Sequence, residues 1–279
     1  LSERVLVFLR GAPAPDSLGI MHNPDIRARS IAMCRAGVPN AEIARSLDVP
    51  KGTVGSWKFD DRTRNPDLYP KTRAETPYCP RCDGAELDRT AYSYLLGLYL
   101  GDGCITKAPQ HRVHTLTIAC GDAWPGLIEA ASEALRAVAP PCGVTRLQRV
   151  GMTEVKMYSS HWVCMFPQHG PGMKHTRKIE LADWQSEIVE SHPWEFIRGL
   201  IHSDGCRITN WTEKVIAGER KRYEYTRYFF SNVSSDIRDL YCWALDVVGV
   251  EWRYANWRNI SVAKKNSIAL MDLHVGPKF

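Results

Sequence analysis

The chain has 279 residues, of which 44% are hydrophobic and 24% charged, the make-up of a globular protein with room for more than one core; disordered and fibrous classes are excluded. A formal net charge of +5 fits an anionic partner such as nucleic acid without demanding one. The nine cysteines are odd in number and, apart from Cys79 and Cys82, well spaced, so they read as reduced thiols rather than a disulfide framework. With no apolar run of membrane length and no signal-peptide cleavage site, the expected location is the prokaryotic cytoplasm, with the protein associated with the nucleoid when bound and with no membrane partner.

Residues 1–20 begin without methionine and run through Gly11-Ala-Pro-Ala-Pro15, poor material for a packed element. They are expected to be a disordered or non-native extension, with Met21 as the start. From Asn23 the pattern is helical: Asn23 caps, Pro24 suits the first turn, and Ile26, Ser30, Ile31 and Cys34 follow at helical spacing up to Gly37. Asn40 is the expected cap of a second helix through Leu47, and Asp48-Val49-Pro50 leads to a third over Lys51 to Lys58, with Val54 and Trp57 inward. This resembles a helix-turn-helix over 21–62, with small Ala44 at the crossing. Lys51, Thr53, Ser56 and Lys58 would face DNA. Residues 22–73 hold ten Lys and Arg against six Asp and Glu, which agrees with that reading.

Residues 63–89 read as a linker carrying Tyr78-Cys79-Pro80-Arg81-Cys82-Asp83-Gly84, a Cys-x-x-Cys with the glycine of a zinc knuckle. A closed zinc site needs four ligands, and only Cys79 and Cys82 are visible. His111, His114 or Cys104 are the conceivable donors of the other pair; the segment binding no metal is the open alternative.

The strongest feature is an internal repeat. Leu95-Leu-Gly-Leu-Tyr-Leu-Gly-Asp-Gly103 recurs as Ile197-Arg-Gly-Leu-Ile-His-Ser-Asp-Gly205. Gly97 and Gly101, matched by Gly199 and Ser203, let two apolar helices approach closely, on the steric logic of small-x-x-x-small pairs. The helices would then bring Asp102 and Asp204 together, and two neighbouring carboxylates ask for cations between them. Each motif is followed by the same course. In the first half a strand pair is expected over 104–120, a helix over Pro125 to Val138, and strands at Val144 to Val150 and Val155 to Phe166. In the second, Tyr223 to Ser231 is strand-like, Asp236 to Val248 helical and Trp252 to Ala263 strand-like. The halves also close alike, on His169-Gly-Pro-Gly-Met-Lys174 and His274-Val-Gly-Pro-Lys278.

Over residues 90–279 these copies resemble the LAGLIDADG family in its single-chain, two-motif form. The resemblance implies an α+β fold of two pseudo-symmetric αββαββα units, repeat 1 at 90–190 and repeat 2 at 191–279. Their antiparallel sheets form a saddle, preceded here by the small all-α helix-turn-helix domain. It further implies a site-specific homing endonuclease, or meganuclease, carried by a mobile element such as an intron and acting as a monomer on a long asymmetric double-stranded DNA target. Asp102 and Asp204 would hold Mg²⁺, with the carbonyls of Gly101 and Ser203 as extra ligands, and both strands would be cut to leave short 3′ overhangs.

A lysine is expected near each scissile phosphate: Lys174 and Lys278 by position, with Lys264 and Lys265 as alternatives in the second half. Lys107, Arg112 and His114, then Arg220, Lys221, Arg222 and Arg227, would read DNA from the strands, with Tyr223, Tyr225 and Tyr228 interleaved. The chain departs from the family pattern at the sixth motif position, Leu100 and His202, and at Arg198, which must snorkel to the rim. Two other readings share the fold: a transcription regulator that binds without cutting, marked by loss of the acids, and an RNA maturase. Both acids are present here, which favours the nuclease.

Overall fold

The computed structural model describes residues 23–69, 79–107, 113–216 and 218–279. The expected extension at 1–20, Arg112 and His111 lie outside the described residues. The chain divides into two compact units, the second beginning at Pro77.

In the first unit, α1 (Pro24–Arg35), α2 (Asn40–Leu47) and α3 (Lys51–Arg64) are followed by a 3₁₀ turn at Pro66–Leu68. Asn23 caps α1 by accepting from the Asp25 amide at 2.9 Å. Asn40, expected as a cap, is instead the first helical residue; Pro39 holds the cap position and Asn40 accepts from Lys58 Nζ at 3.4 Å. Asp48, at φ 50°, makes the left-handed turn that ends α2. Cys34, Ile43, Val49, Val54 and Tyr69 form the core, with Ala44 and Trp57 packed against it.

The third helix runs past Lys58 and past the expected boundary at 62 because Asp61 ties it down. Arg35 donates to both oxygens of that carboxylate at 2.8 and 2.7 Å, and the Tyr69 hydroxyl donates at 2.7 Å. These donors hold the Asp61 carboxyl well below its usual pKa. A charged stretch that reads as linker is thereby part of the folded unit.

The second unit is α+β. It runs α4 (Arg89–Leu100), β1 (Gly103–Thr106), β2 (His114–Gly121), α5 (Pro125–Val138), β3 (Val144–Arg149), β4 (Met152–Ser159), α6 (Trp162–Met165) and α7 (Asp183–Ser191). The second repeat follows with α8 (Pro193–Asp204), β5 (Gly205–Ile216), β6 (Glu219–Ser231), α9 (Ser235–Val247), β7 (Arg253–Tyr254), β8 (Asn259–Val262) and α10 (Lys265–His274). The two sheets are antiparallel with the same order, β1-β2-β4-β3 and β5-β6-β8-β7, so the duplication visible in the motifs is a duplication of topology.

Three expectations change. Residues 155–166 are not one strand: β4 ends at Ser159 and α6 follows, which puts Trp162 and Phe166 one helical turn apart so that both are buried, with the Trp162 indole donating to the Met157 carbonyl at 2.9 Å. The run 252–263 is broken by a turn in which Asn256 Oδ1 accepts from the amides of Arg258 and Asn259 at 3.1 and 3.0 Å. Strand β5 is absent from the sequence reading because most of it projects past the core with both faces exposed, so no alternation marks it.

Helices α4 and α8 pack as the glycines require. A Cβ on Gly97 would lie 2.5 Å from the Phe196 carbonyl oxygen and 2.9 Å from Gly199 Cα, and one on Gly199 would strike the Tyr94 carbonyl. Backbone meets backbone at this crossing. On either side, Leu95, Leu96, Leu98, Ile197, Leu200 and Ile201 are buried.

Candidate active site

Asp102 follows the C-cap of α4 and Asp204 is the last residue of α8, so the close crossing carries both acids to one end of the helix pair. A Cβ on Gly101 would collide with the Ser203 side chain and stand 3.2 Å from Asp204 Oδ2. Gly103 and Gly205, after the acids, are each pressed onto their own helix: a Cβ on Gly205 would be 2.7 Å from Ile201 Cα, and one on Gly103 2.5 Å from Tyr99 Cα. The small-Asp-Gly ending therefore serves two close approaches, one across the helix pair and one back along the helix.

Asp204 lines a cleft of about 490 Å³ with Lys174, Asn232 and Cys104, and Asp102 lines a smaller one of about 150 Å³ with Lys278, His202 and Cys120. Both carboxylates keep access to solvent at the mouths of these clefts while protein atoms crowd them. That crowding raises the Asp102 pKa and, joined by repulsion from Asp102, pushes Asp204 up to about 6. The Asn232 amide opposes this by donating to Asp204 Oδ2 at 2.6 Å. Asn232 carries no motif or spacing signal and was not anticipated.

The two closing lysines are where the repeat places them, with a crossed pairing. Lys174 Nζ donates to the carbonyls of Tyr99, Gly101 and Gly103 at 2.6, 2.5 and 2.8 Å, taking up carbonyls at the C-terminal end of α4 and that of the first residue of β1. Lys278 Nζ donates to the Ser203 carbonyl at 2.8 Å. Each lysine thus rests on the motif of its own half, yet the carboxylate acting most strongly on it is that of the other half: Asp204 for Lys174 and Asp102 for Lys278. Burial lowers both ammonium pKa values, that of Lys174 to about 8. The alternatives are elsewhere: Lys264 caps α10 and pairs with Glu251, and Lys265 is exposed at the first residue of α10.

The donor set fits a hard divalent cation. It consists of two carboxylates that repel each other and the carbonyls of Gly101 and Ser203, both already turned toward positive charge. A proton competes for Asp204 below pH about 6, so cation affinity is expected to fall on acidification through that value, by up to about tenfold per pH unit. Mn²⁺ titrations followed by electron paramagnetic resonance between pH 5 and 8 would show it, and Asp204→Asn should flatten the dependence. In the metal-free protein the Asp204 effect has the opposite sign. Because the folded Asp204 pKa lies above the unfolded value, the contribution of Asp204 to stability is lost as pH rises from about 4 to 6, while His202, its pKa lowered to about 4, contributes a change of the opposite sign over the same range.

His202, at the unusual sixth position, is buried; its Nδ1 lies 2.9 Å from the Tyr94 hydroxyl, and burial lowers its pKa to about 4. It is neutral and bridges the two motif helices. Arg198 reaches the edge of the helix pair by lying over the Tyr94 ring, 4.8 Å from its centroid.

The register sorts the strand residues expected to meet DNA. On β5 and β6, Tyr228 and Phe230 are buried, so Arg220, Arg222 and Arg207 share their face, while Lys221, Tyr223, Tyr225 and Arg227 lie on the open one. Arg222 is held there by Glu224 at 2.7 Å and by Trp211, and the Tyr228 hydroxyl is bound to Asp272 at 2.6 Å. Arg220, Arg222 and Tyr228 therefore lie on the face opposite Lys221, Tyr223, Tyr225 and Arg227. His114 shares the face of buried Leu116 and Ile118 in the first sheet and packs edge-on to His169. Lys107 is exposed beyond β1. The other face of the first sheet carries exposed Tyr158 and half-buried Thr115 and Lys156, the last ion-paired to Glu154 at 2.7 Å. In the first unit, Lys51 and Ser56 are exposed, and Thr53 and Lys58 are half-buried.

Cys79 and Cys82 are also brought into a cluster, but with His161 and Cys164. Two of the anticipated donors are elsewhere: Cys104 lines the Asp204 cleft and His114 faces His169. The His161-x-x-Cys164 spacing was the legible signal, hidden because the segment reads as strand.

No family profile and no curated protein matches the chain. Among solved structures it is similar to the homing endonuclease I-DmoI in complex with DNA and Ca, at 14% identity and a TM-score of 0.42 over 68% of this chain and 91% of that one. It is similar also to the LAGLIDADG meganuclease I-AabMI bound to uncleaved DNA, at 9% identity and a TM-score of 0.42 over 66% and 83%. A third is the homing endonuclease I-WcaI bound to its DNA recognition sequence, at 13% identity and a TM-score of 0.41 over 70% and 84%. Likeness this distant says nothing of chemistry, which rests on the residues themselves.

Proposed function

We propose that the protein is a LAGLIDADG homing endonuclease that cuts both strands of a specific DNA site. The observation that supports this above all is the pair of duplicated motif helices ending in two solvent-reachable aspartates beside two lysines. Asp102 and Asp204 act as metal ligands, joined by the Gly101 and Ser203 carbonyls. A divalent cation such as Mg²⁺, when bound, supplies a water of lowered pKa and neutralises charge on the leaving oxygen. Asn232 orients the Asp204 carboxylate. Lys174 and Lys278 hold positive charge beside the acids and beside the phosphates to be cut. One acid for each strand fits a staggered double cut with short 3′ overhangs, made by a monomer because one chain supplies both halves.

The open sheet faces would read the major groove, with Lys221 and Arg227 in one half and Lys156 in the other. The first unit adds a helix-turn-helix that presents Lys51 and Ser56. The unequal clefts and the longer β5 and β6 suit an asymmetric target. A regulator that only binds DNA would have no use for the ionisable pair, whose repulsion costs stability.

Duplexes selected from random DNA by binding should be cut on adding Mg²⁺ and left whole in chelator; binding with no cutting under Mg²⁺, Mn²⁺ or Ca²⁺ would sink the nuclease. Within the same complex, Lys221→Ala should lower the slope of log K against log salt by about one, as expected for a lost phosphate contact. Arg222→Ala, on the other face, should leave that slope unchanged in the same titration.

A further inference from the structure

We propose that Cys79, Cys82, His161 and Cys164 form a structural zinc site, separate from the acid pair, that fastens the chain entering the first motif helix to the first repeat. The four ligand atoms lie within 4.8 Å of one another, with Cys82 Sγ 3.4 Å from Cys164 Sγ and Cys164 Sγ 3.9 Å from His161 Nδ1. A tetrahedron with zinc to sulfur bonds of about 2.3 Å has edges of about 3.8 Å, so separations that nowhere exceed 4.8 Å close on an ion with shifts of no more than about an ångström. The sulfur separation is far beyond a disulfide bond, and Cys79, Cys82 and Cys164 are not joined in a disulfide.

The surroundings are those of a zinc knuckle. Residues 80–83 turn tightly, the Asp83 amide donates to the Cys79 carbonyl at 2.9 Å, and Gly84, at φ 69°, takes the left-handed position that closes the turn. The Asp83 carboxylate accepts from the Cys79 amide at 3.2 Å, which fixes the turn at its first ligand. Three thiols and an imidazole select zinc over the hard cation suited to the aspartates.

Four protein ligands leave no open coordination position, which makes the site structural rather than catalytic. Its place agrees. Residues 79–88 form no helix or strand, and 82 positions separate Cys82 from Cys164. A metal crossing that span holds the segment against the α6 corner, and Arg81 lies over the ring of Trp184 in α7 at 4.6 Å. The ion would fix how the chain enters α4, the helix that carries Asp102.

The test is the metal content of the full chain purified under reducing conditions without added metal. About one zinc per chain is expected, released by a thiol-blocking mercurial and detected with a zinc-binding dye. Cys82→Ser and Cys164→Ser should each lose most of it, and Cys206→Ser should keep it. Refolding with Co²⁺ should give the visible bands of a tetrahedral site with thiolate charge transfer, a readout on the unmutated chain that does not depend on any variant folding. Absence of both zinc and the Co²⁺ spectrum would overturn the proposal, as would iron in place of zinc or a disulfide joining Cys82 to Cys79 or Cys164. DNA cleavage plays no part in any of these readouts, so the zinc site and the nuclease can fail independently.

Discussion

Asp102→Asn and Asp204→Asn should each leave the protein folded and bound to DNA while lowering cleavage on the order of 10³-fold. That figure is several kcal/mol of lost charge stabilisation, at 1.36 kcal/mol for each factor of ten. Asparagine keeps the size of the side chain and can still accept from Asn232, so what is lost is the negative charge that holds a cation. The separation of effects is the informative part: a gel-shift titration in chelator should be nearly unchanged, and single-turnover cleavage with Mg²⁺ should collapse. Because Asp102 repulsion contributes to the raised pKa of Asp204, Asp102→Asn should also lower the pH at which Asp204 titrates. A variant that lost binding and cleavage in parallel would assign the acids to folding or docking instead.

Gly97→Ala is expected to be among the most damaging single-methyl changes in the chain. Its Cβ would meet the Phe196 carbonyl oxygen at 2.5 Å and Gly199 Cα at 2.9 Å, backbone atoms of a helix that cannot turn aside as a side chain can. Overpacking of this kind costs about 1–3 kcal/mol or more. For a unit of this size each kcal/mol is worth roughly 2–4 °C of melting temperature. Gly143→Ala, with nothing within 4 Å of the new methyl, is the matched control and should be close to neutral. Moving the helices apart would also shift Asp102 relative to Asp204, so Gly97→Ala should lose cleavage beyond what its stability explains; equal melting temperatures for the two variants would refute the close crossing.

Much of this was legible in the sequence, for reasons that differ from element to element. The motif helices could be read because their demand is written in residue type: only small residues at 97, 101, 199 and 203 permit the crossing, and each acid stands where its helix ends. The near-equal spacing from each acid to its closing lysine, 72 and 74 positions, was legible as well. The crossed electrostatic pairing of those lysines was not, since it depends on how the two halves meet. Asn232 was invisible for the same reason, because an asparagine after a strand has no spacing to announce it.

The strand residues expected to meet DNA show the opposite failure. Arg220, Lys221 and Arg222 are a basic cluster in sequence, yet successive residues of a strand face opposite ways, and only the position of buried Tyr228 and Phe230 tells which side is open. The residues of the proposed zinc site were half visible. Cys79 and Cys82 are neighbours in the chain, whereas His161 and Cys164 arrive from a corner whose helical turn was concealed by a strand-like run of residues. The third helix of the first unit was cut short because the Asp61 carboxylate, a surface feature in sequence, is an anchor in the structure.

The most direct test of the account is to map the ends produced on both strands when the full-length protein is incubated with Mg²⁺ and a duplex selected by binding. One cut on each strand at a fixed position, staggered to leave a short 3′ overhang and abolished by chelator, is the predicted result. Tight binding to the same duplex with both strands intact at every divalent cation tested would contradict it, and would leave the two aspartates without the role assigned to them.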